Sequence, residues 1–527
     1  MPTRLAPDSR SCIRANAASY LQAGLTASQS EESNMLIRNT LYNLLGLGLP
    51  MLVAIGSMPV LIHLLGEERF GILTLIWAVV SYFGLFDLGL GRALTLQISQ
   101  LMADKREEDI ASLIYTSLIL MTGLGLLAGV IMWFGADWGA ARMAAGNRLE
   151  IAGSVKIMAV AMPFIVLTSG LRGILEARSA FGIINLIRLP MGMFTFLGPL
   201  AVVLWYKNDL IAVTAALTLG RAVACIAHFY YAARSLPGML ADRRYRRELV
   251  KVLISSGGWM TVSNVISPLM GYMDRFLIGA TISAAAVAYY VTPFEVISKL
   301  WIIPGALTAV LFPRFTGELF AQGKESPALF RKALLVLFLV IYPSALFFGI
   351  FSHDFLRLWI SPEFADKSYF LLQVFSLGIM INCMAHIPFT LIQGAGKARV
   401  TAMIHLVQFP FFILILWLAT SRYGLVGAVF AWLARMLIDA LIMFVQAANI
   451  IDLRQVMQRP LELYGVGVLI LLSYLPALVE DPRGRAALYL GCIAVMFAYI
   501  WLCIATKIER QYVLGKISFL RSGGKHE

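Results

Sequence analysis

Charged side chains are scarce in this sequence. Asp, Glu, Lys and Arg make up 14% of its 527 residues, against about 25% in soluble domains. A water-facing surface of ordinary polarity is therefore excluded. Cysteines number five (Cys12, Cys225, Cys383, Cys492, Cys503) and show no paired spacing, which excludes a disulfide framework and a cysteine zinc motif. Four of them fall in or beside apolar stretches, where Cys acts as a small apolar residue. No GxxxxGK[ST] loop is present, so the chain has no ATP motor of its own. No metal motif appears, and no cofactor is expected. Residues 1–34 lack the apolar core of a signal peptide and are expected to form a disordered tail; Met35 is a second candidate start.

Long apolar runs, by contrast, recur along the rest of the chain, which is 59% hydrophobic. About fourteen stretches reach the ~20 residues needed to cross a bilayer as a helix. They fall near 41–65, 71–92, 111–135, 151–172, 181–205, 210–233, 252–279, 285–312, 331–352, 369–393, 400–420, 424–448, 461–479 and 486–506. Barrel strands would be shorter and alternate in polarity. The expected fold class is an all-α polytopic membrane protein. The longest connections are expected at 92–110, 136–150, 234–251, 313–330 and 353–368.

The net charge of +13 would suggest nucleic acid in a soluble protein. Here the basic residues concentrate, roughly three to one, on the side holding both termini, which the positive-inside bias assigns to the cytoplasm. No nucleic acid is expected as a partner. The cluster Arg243, Arg244, Arg246 and Arg247 is the strongest anchor, suited to anionic lipid.

The two halves echo each other about 220 residues apart. Pro50 matches Pro268, the segment after Gly91-Arg92 resembles that after Pro313-Arg314, and Pro190 matches Pro410. The expected division is a tail at 1–34, a six-helix lobe at 35–233, a basic cytoplasmic linker at 234–251, a second six-helix lobe at 252–450, and two extra helices with a tail at 451–527. Two six-helix repeats entering from one side imply a pseudo-two-fold axis along the membrane normal, with a cavity between lobes.

Charges inside the spans are costly and point to function. Bases (Lys156, Arg188, Arg221, Arg275, Lys299, Arg435) slightly outnumber acids (Asp87, Asp274, Glu295, Asp439). Glu295 with Lys299, and Arg435 with Asp439, are spaced i,i+4 on one helical face and are equally suited to locking helices together. Lys156 and Arg188 are within reach of a headgroup by snorkelling. Arg221 has no acid within a turn. A cationic cavity for an anionic substrate is therefore expected from Arg221, Arg188, Arg435, Lys299 and Arg275, since a guanidinium binds phosphate oxygens in pairs. Asp439, Glu295 and Asp274 are candidates for coupling to a proton or sodium gradient. His63 and His405 are expected as helix-to-helix hydrogen bonds, and Glu67 and Glu68 as solvated loop carboxylates. Trp77, Trp259 and Trp301 suit either packing or stacking on a ring.

The stretch PVLIHLLGEERFGILTLIWAVVSYFGLFDLGLGRALT (Pro59 to Thr95) carries Leu65-Gly66, Phe70-Gly71 and the run Phe86 to Gly91. It resembles the first helical pair of bacterial polysaccharide-biosynthesis flippases, the O-antigen or Wzx-type branch of the multidrug/oligosaccharidyl-lipid/polysaccharide (MOP) superfamily. The resemblance extends through Gln393, Gly394, Gly396 and Lys397 and covers most of 36–450. It implies two six-helix lobes, often with two extra helices, in the bacterial inner membrane. It implies an undecaprenyl-pyrophosphate-linked oligosaccharide turned from one leaflet to the other by alternating access, and no enzyme activity. A polysaccharide polymerase and chain-length machinery are candidate partners. A cation-coupled multidrug exporter and a lipid II flippase of the same superfamily are the alternatives; the excess of bases disfavours the first.

Overall fold

The structure, a computed structural model, describes residues 48–83, 90–106, 108–142, 148–320, 326–452, 479, 481–504 and 510. The tail 1–34, Asp87 and residues 461–478 of the expected span 461–479 lie outside the described residues, as does the side chain of Trp259. Every regular element among the described residues is a helix, as lipid demands of a chain that must satisfy its own backbone. The first half comprises α1 (Gly48–Leu65), α2 (Glu67–Phe83), α3 (Leu90–Ala103), α4 (Glu108–Arg142), α5 (Arg148–Ala177), α6 (Phe181–Trp205) and α7 (Leu210–Ser235). The second comprises α8 (Arg247–Thr281), α9 (Ala284–Ile297), a 3-10 turn (Ser298–Trp301), α10 (Ile302–Phe320), α11 (Ser326–Ile350), α12 (Ser352–Trp359), α13 (Pro362–Gly394) and α14 (Ala398–Ala448). Beyond it lies α15 (Pro482–Tyr499).

Among the described residues, ten helices are long and apolar enough to cross a membrane. Two expected spans run together as α14, which turns at Gly424, where φ is +60°, a conformation natural to glycine. The expected span 71–92 is described at 71–83, in α2, and at 90–92, in α3. The long connections are also shorter than expected. Residues 90–103, 136–142, 313–320 and 352–359 are helical, and the basic linker shrinks to 236–246. An apolar run stops where hydrocarbon stops, but a helix already nucleated gains a backbone bond for each further residue.

The helix starts at Glu67, Glu108, Arg148 and Phe181 recur at Ala284, Ser326, Pro362 and Ala398, each about 215 residues on. A side-chain contact recurs with them. Gly173 on α5 meets Thr95 on α3, whose hydroxyl donates to the Gly173 carbonyl at 3.0 Å. About 220 residues later, Gly394 on α13 packs on Thr316 on α10. Within the first lobe, Gly125 and Gly129 let α4 lie directly on Pro163 and Ala159 of α5. Such small-residue contacts drive helix association in lipid, where burial of apolar surface gains little.

The molecule has a basic end, carrying residues 236–246, and an opposite, distal end. Distal helix starts are capped: Asp209, Ser283, Ser361 and Asp481 each accept a hydrogen bond from a backbone N–H in the following turn. At the basic end Arg246 ties the linker to the first lobe through Asp109 (2.9 Å) and the Thr116 hydroxyl (3.1 Å).

The two lobes join at the distal end. A Cβ added at Gly71 on α2 would stand 1.8 Å from the Ala284 carbonyl oxygen on α9. Around that approach Leu61, Phe70 and Leu73 share one core with Ala284, Ala288 and Phe364. Trp359 of α12 donates to the Ile55 carbonyl of α1 at 2.9 Å. Glu67 belongs to the same seam. It was expected as a solvated carboxylate, but it accepts a hydrogen bond from Tyr289. Lys367 lies 2.5 Å from the Tyr289 hydroxyl and 3.5 Å from Glu67. The duplicated fold brings α9 and α13 alongside the first turn of α2, and no local pattern around Glu67 signals that.

Candidate functional site: a charge cluster in the second lobe

Three helices of the second lobe converge on a charged cluster. Arg275 on α8 donates to Glu295 on α9 at 2.9 Å, and Lys299, one turn beyond, reaches the other oxygen of Glu295 at 3.0 Å. The expected i,i+4 pair is therefore formed and extended by a second cation. Arg275 keeps only 6% of its side chain exposed; its guanidinium also lies 5.1 Å from the Tyr272 ring and 5.8 Å from that of Phe294. Asp274 is buried, accepts from the Arg275 backbone N–H at 2.8 Å and takes the Tyr290 hydroxyl at 3.0 Å. Burying these charges is tolerable because each carboxylate is bonded.

The second expected pair does not close in the same way. Arg435 on α14 lies 4.9 Å over the Phe412 ring, and one of its terminal nitrogens is buried with no hydrogen-bond partner among the described residues. Asp439 turns toward His405 across the bend of α14, with 3.4 Å between Oδ1 and Nε2. Leaving the bend at Gly424, α14 doubles back, which sets His405 on its first arm beside Asp439 on its second. His405 also stacks on Phe389 of α13.

Arg188 and Arg221 do not join this cluster. They lie on α6 and α7 of the first lobe, Arg188 exposed and Arg221 half-buried. Lys156 pairs with Asp137 at 2.8 Å near the distal end of α4. In the second lobe the three cations Arg275, Lys299 and Arg435 face the three carboxylates Asp274, Glu295 and Asp439. The excess of positive charge read from the sequence therefore rests on the arginines of the first lobe.

Sequence reasoning missed Tyr290, Tyr289 and Lys367, and also Asn382, which accepts a hydrogen bond from Trp301 at 2.9 Å. Trp301 thus packs with its N–H satisfied. Trp77 is wedged edge-on between Phe70 and Phe196. His63 is exposed on α1. No group of His, Cys, Asp and Glu among the described residues has the geometry of a metal site.

The described chain is a duplicated bundle of apolar helices with ion pairs buried mid-helix. Comparison with known proteins gives the family. The model for the polysaccharide biosynthesis protein family matches residues 36–317. A Shigella flexneri protein called "Putative O-antigen transporter" is 32% identical over 418 residues, 77% of this chain and 96% of its own. The chain belongs to the polysaccharide biosynthesis protein family. Among solved structures, an inward-facing MATE-family multidrug resistance transporter of the MOP superfamily overlays with a TM-score of 0.63 at 16% identity, covering 78% of this chain and 94% of that one. The lipid II flippase MurJ, in an inward closed form, overlays at 0.61 with 12% identity, covering 88% and 99%. The fold is that of MOP-superfamily transporters.

Proposed function

We propose that this protein is a flippase of the bacterial inner membrane. It carries undecaprenyl-pyrophosphate-linked oligosaccharide repeat units from the cytoplasmic to the periplasmic leaflet for surface polysaccharide synthesis. The observation that carries this reading is Arg435, a guanidinium among buried charges with a terminal nitrogen that finds no partner among the described residues. An unpaired buried donor costs free energy until a ligand supplies an acceptor, and a pyrophosphate oxygen is a charge-assisted one. Lys299 and Arg275 lie in the same lobe, already held by Glu295; Arg221 and Arg188 add charge from the opposite lobe. Asp439, Glu295 and Asp274 are the groups proposed to couple the cycle to an ion gradient.

In this reading the lobes, at 35–233 and 252–450, rock about the site by alternating access. The distal seam at Gly71, Glu67 and Trp359 supports a state shut toward the periplasm and open toward the basic, cytoplasmic end, where both termini lie. The lipid-linked oligosaccharide is delivered there, and a polymerase with its chain-length machinery receives it on the far side. The test is deletion of the gene in its host. Loss of surface polymer, with lipid-linked repeat units trapped on the cytoplasmic leaflet, is expected. Unchanged polymer with altered sensitivity to cationic dyes overturns the proposal in favour of drug export.

A further inference from the structure

Below the charge cluster, toward the basic end, lies a cleft of about 350 Å³ between α10 and α13. This volume is at the small end of ligand sites, which run roughly 300–1,000 Å³. Its walls are two facing stripes. On α13, His386, Thr390 and Gln393 line the cleft at helical spacing, one turn beyond Asn382. On α10, Thr308 and Phe312 follow Trp301 at the same spacing, with Gly305 between them. A Cβ on Gly305 would touch nothing, so the wall there is bare backbone.

The polar groups in the cleft are left available. The Thr390 hydroxyl donates back to the His386 carbonyl at 2.7 Å and that of Thr308 to the Gly305 carbonyl at 3.2 Å. Each keeps lone pairs free to accept. Neither His386 nor the side chain of Gln393 makes a hydrogen bond among the described residues. Phe312 and Phe389 supply ring faces, and Phe389 is held in place by its stack on His405. No residue that lines the cleft carries a permanent charge.

Neutral donors and acceptors between aromatic faces suit a carbohydrate, whose hydroxyls need partners and whose C–H faces need rings. They do not suit a phosphate. We infer that the α10–α13 cleft is a sugar subsite, binding the first sugars of the cargo while its pyrophosphate sits at the charge cluster above. This rests on the flippase reading and divides that cargo between two places. The cation site reads the common lipid carrier, and the cleft reads the sugar.

The test uses the full-length protein in lipid nanodiscs and two probes, undecaprenyl pyrophosphate and the oligosaccharide-bearing lipid extracted from the host. Gln393→Ala and the isosteric Thr308→Val are compared with Arg435→Ala, each checked for an unchanged melting curve. Both cleft variants are expected to weaken binding of the glycosylated lipid about tenfold while leaving undecaprenyl pyrophosphate unaffected, and Arg435→Ala to weaken both. If the cleft variants leave both probes unchanged, or weaken both alike, the subsite is wrong and the flippase reading stands. If the unsubstituted protein binds neither probe, the flippase reading itself falls and takes the subsite with it.

Discussion

Substituting Gly71 by Ala tests how the distal seam is held. The added Cβ would stand 1.8 Å from a backbone oxygen, the Ala284 carbonyl, where Cβ contacts under 3.0 Å essentially never occur. No side chain can move aside, so α2 and α9 must part by roughly the difference. Overpacking of this kind costs about 1–3 kcal/mol. The cost falls on the state in which the two helices touch, and it is relieved when the lobes separate. The balance should therefore shift toward the distally open state by about 5- to 150-fold. The readout is a single cysteine at Ala288, fully buried on α9 beside Gly71, in a background with the natural cysteines replaced. A membrane-impermeant maleimide applied from the distal side should label it faster in the Gly71→Ala protein by a comparable factor, and polymer export should fall. Unchanged labelling and normal export from both Gly71→Ala and Gly71→Val would refute the seam as a closed gate.

Three further outcomes are expected. Glu295→Ala should destabilise the purified protein by about 3–5 kcal/mol, because it strands the buried Arg275; Glu295→Gln, which still accepts a hydrogen bond, should cost less, and thermal unfolding in detergent measures both. Arg221→Ala should impair polysaccharide export with protein still present in the membrane, and Arg221→Lys should retain part of it; normal polymer from Arg221→Ala removes that residue from the site. Gly424→Ala meets no neighbouring atom, so its cost should be the backbone strain alone, about 1–3 kcal/mol, seen as a lower melting temperature with no change in substrate binding.

Much of the fold was legible because hydrocarbon imposes one rule on every span. The runs that became α4 to α7, α11 and α13 were visible as apolar stretches, and Glu295 with Lys299 was visible as a spacing. What the sequence hid follows from two physical facts. Helices do not end where their apolar runs end, so α4 and α10 extend well past the stretches that announced them. A search for charge also overlooks neutral polar groups: His386, Thr390 and Gln393 are unremarkable one by one, and only the facing of α10 and α13 makes them a cleft. Glu67 was misread for the complementary reason, since its partners Tyr289 and Lys367 are more than two hundred residues away in sequence.

The recurring contact of Gly173 with Thr95, and of Gly394 with Thr316, has a further meaning. A symmetric pair of identical subunits must write every change twice, so a lone arginine in its central space becomes two, and a sugar-reading cleft on one side is mirrored on the other. Fusing the two copies into one chain lifts that constraint. The Gly–Thr scaffold contacts recur in both halves, whereas the Arg275–Glu295–Lys299 cluster and the cleft beside it are built from residues of the second. A cargo with one charged end and one uncharged end is polar along its length, and only a container freed from its own symmetry can tell those ends apart.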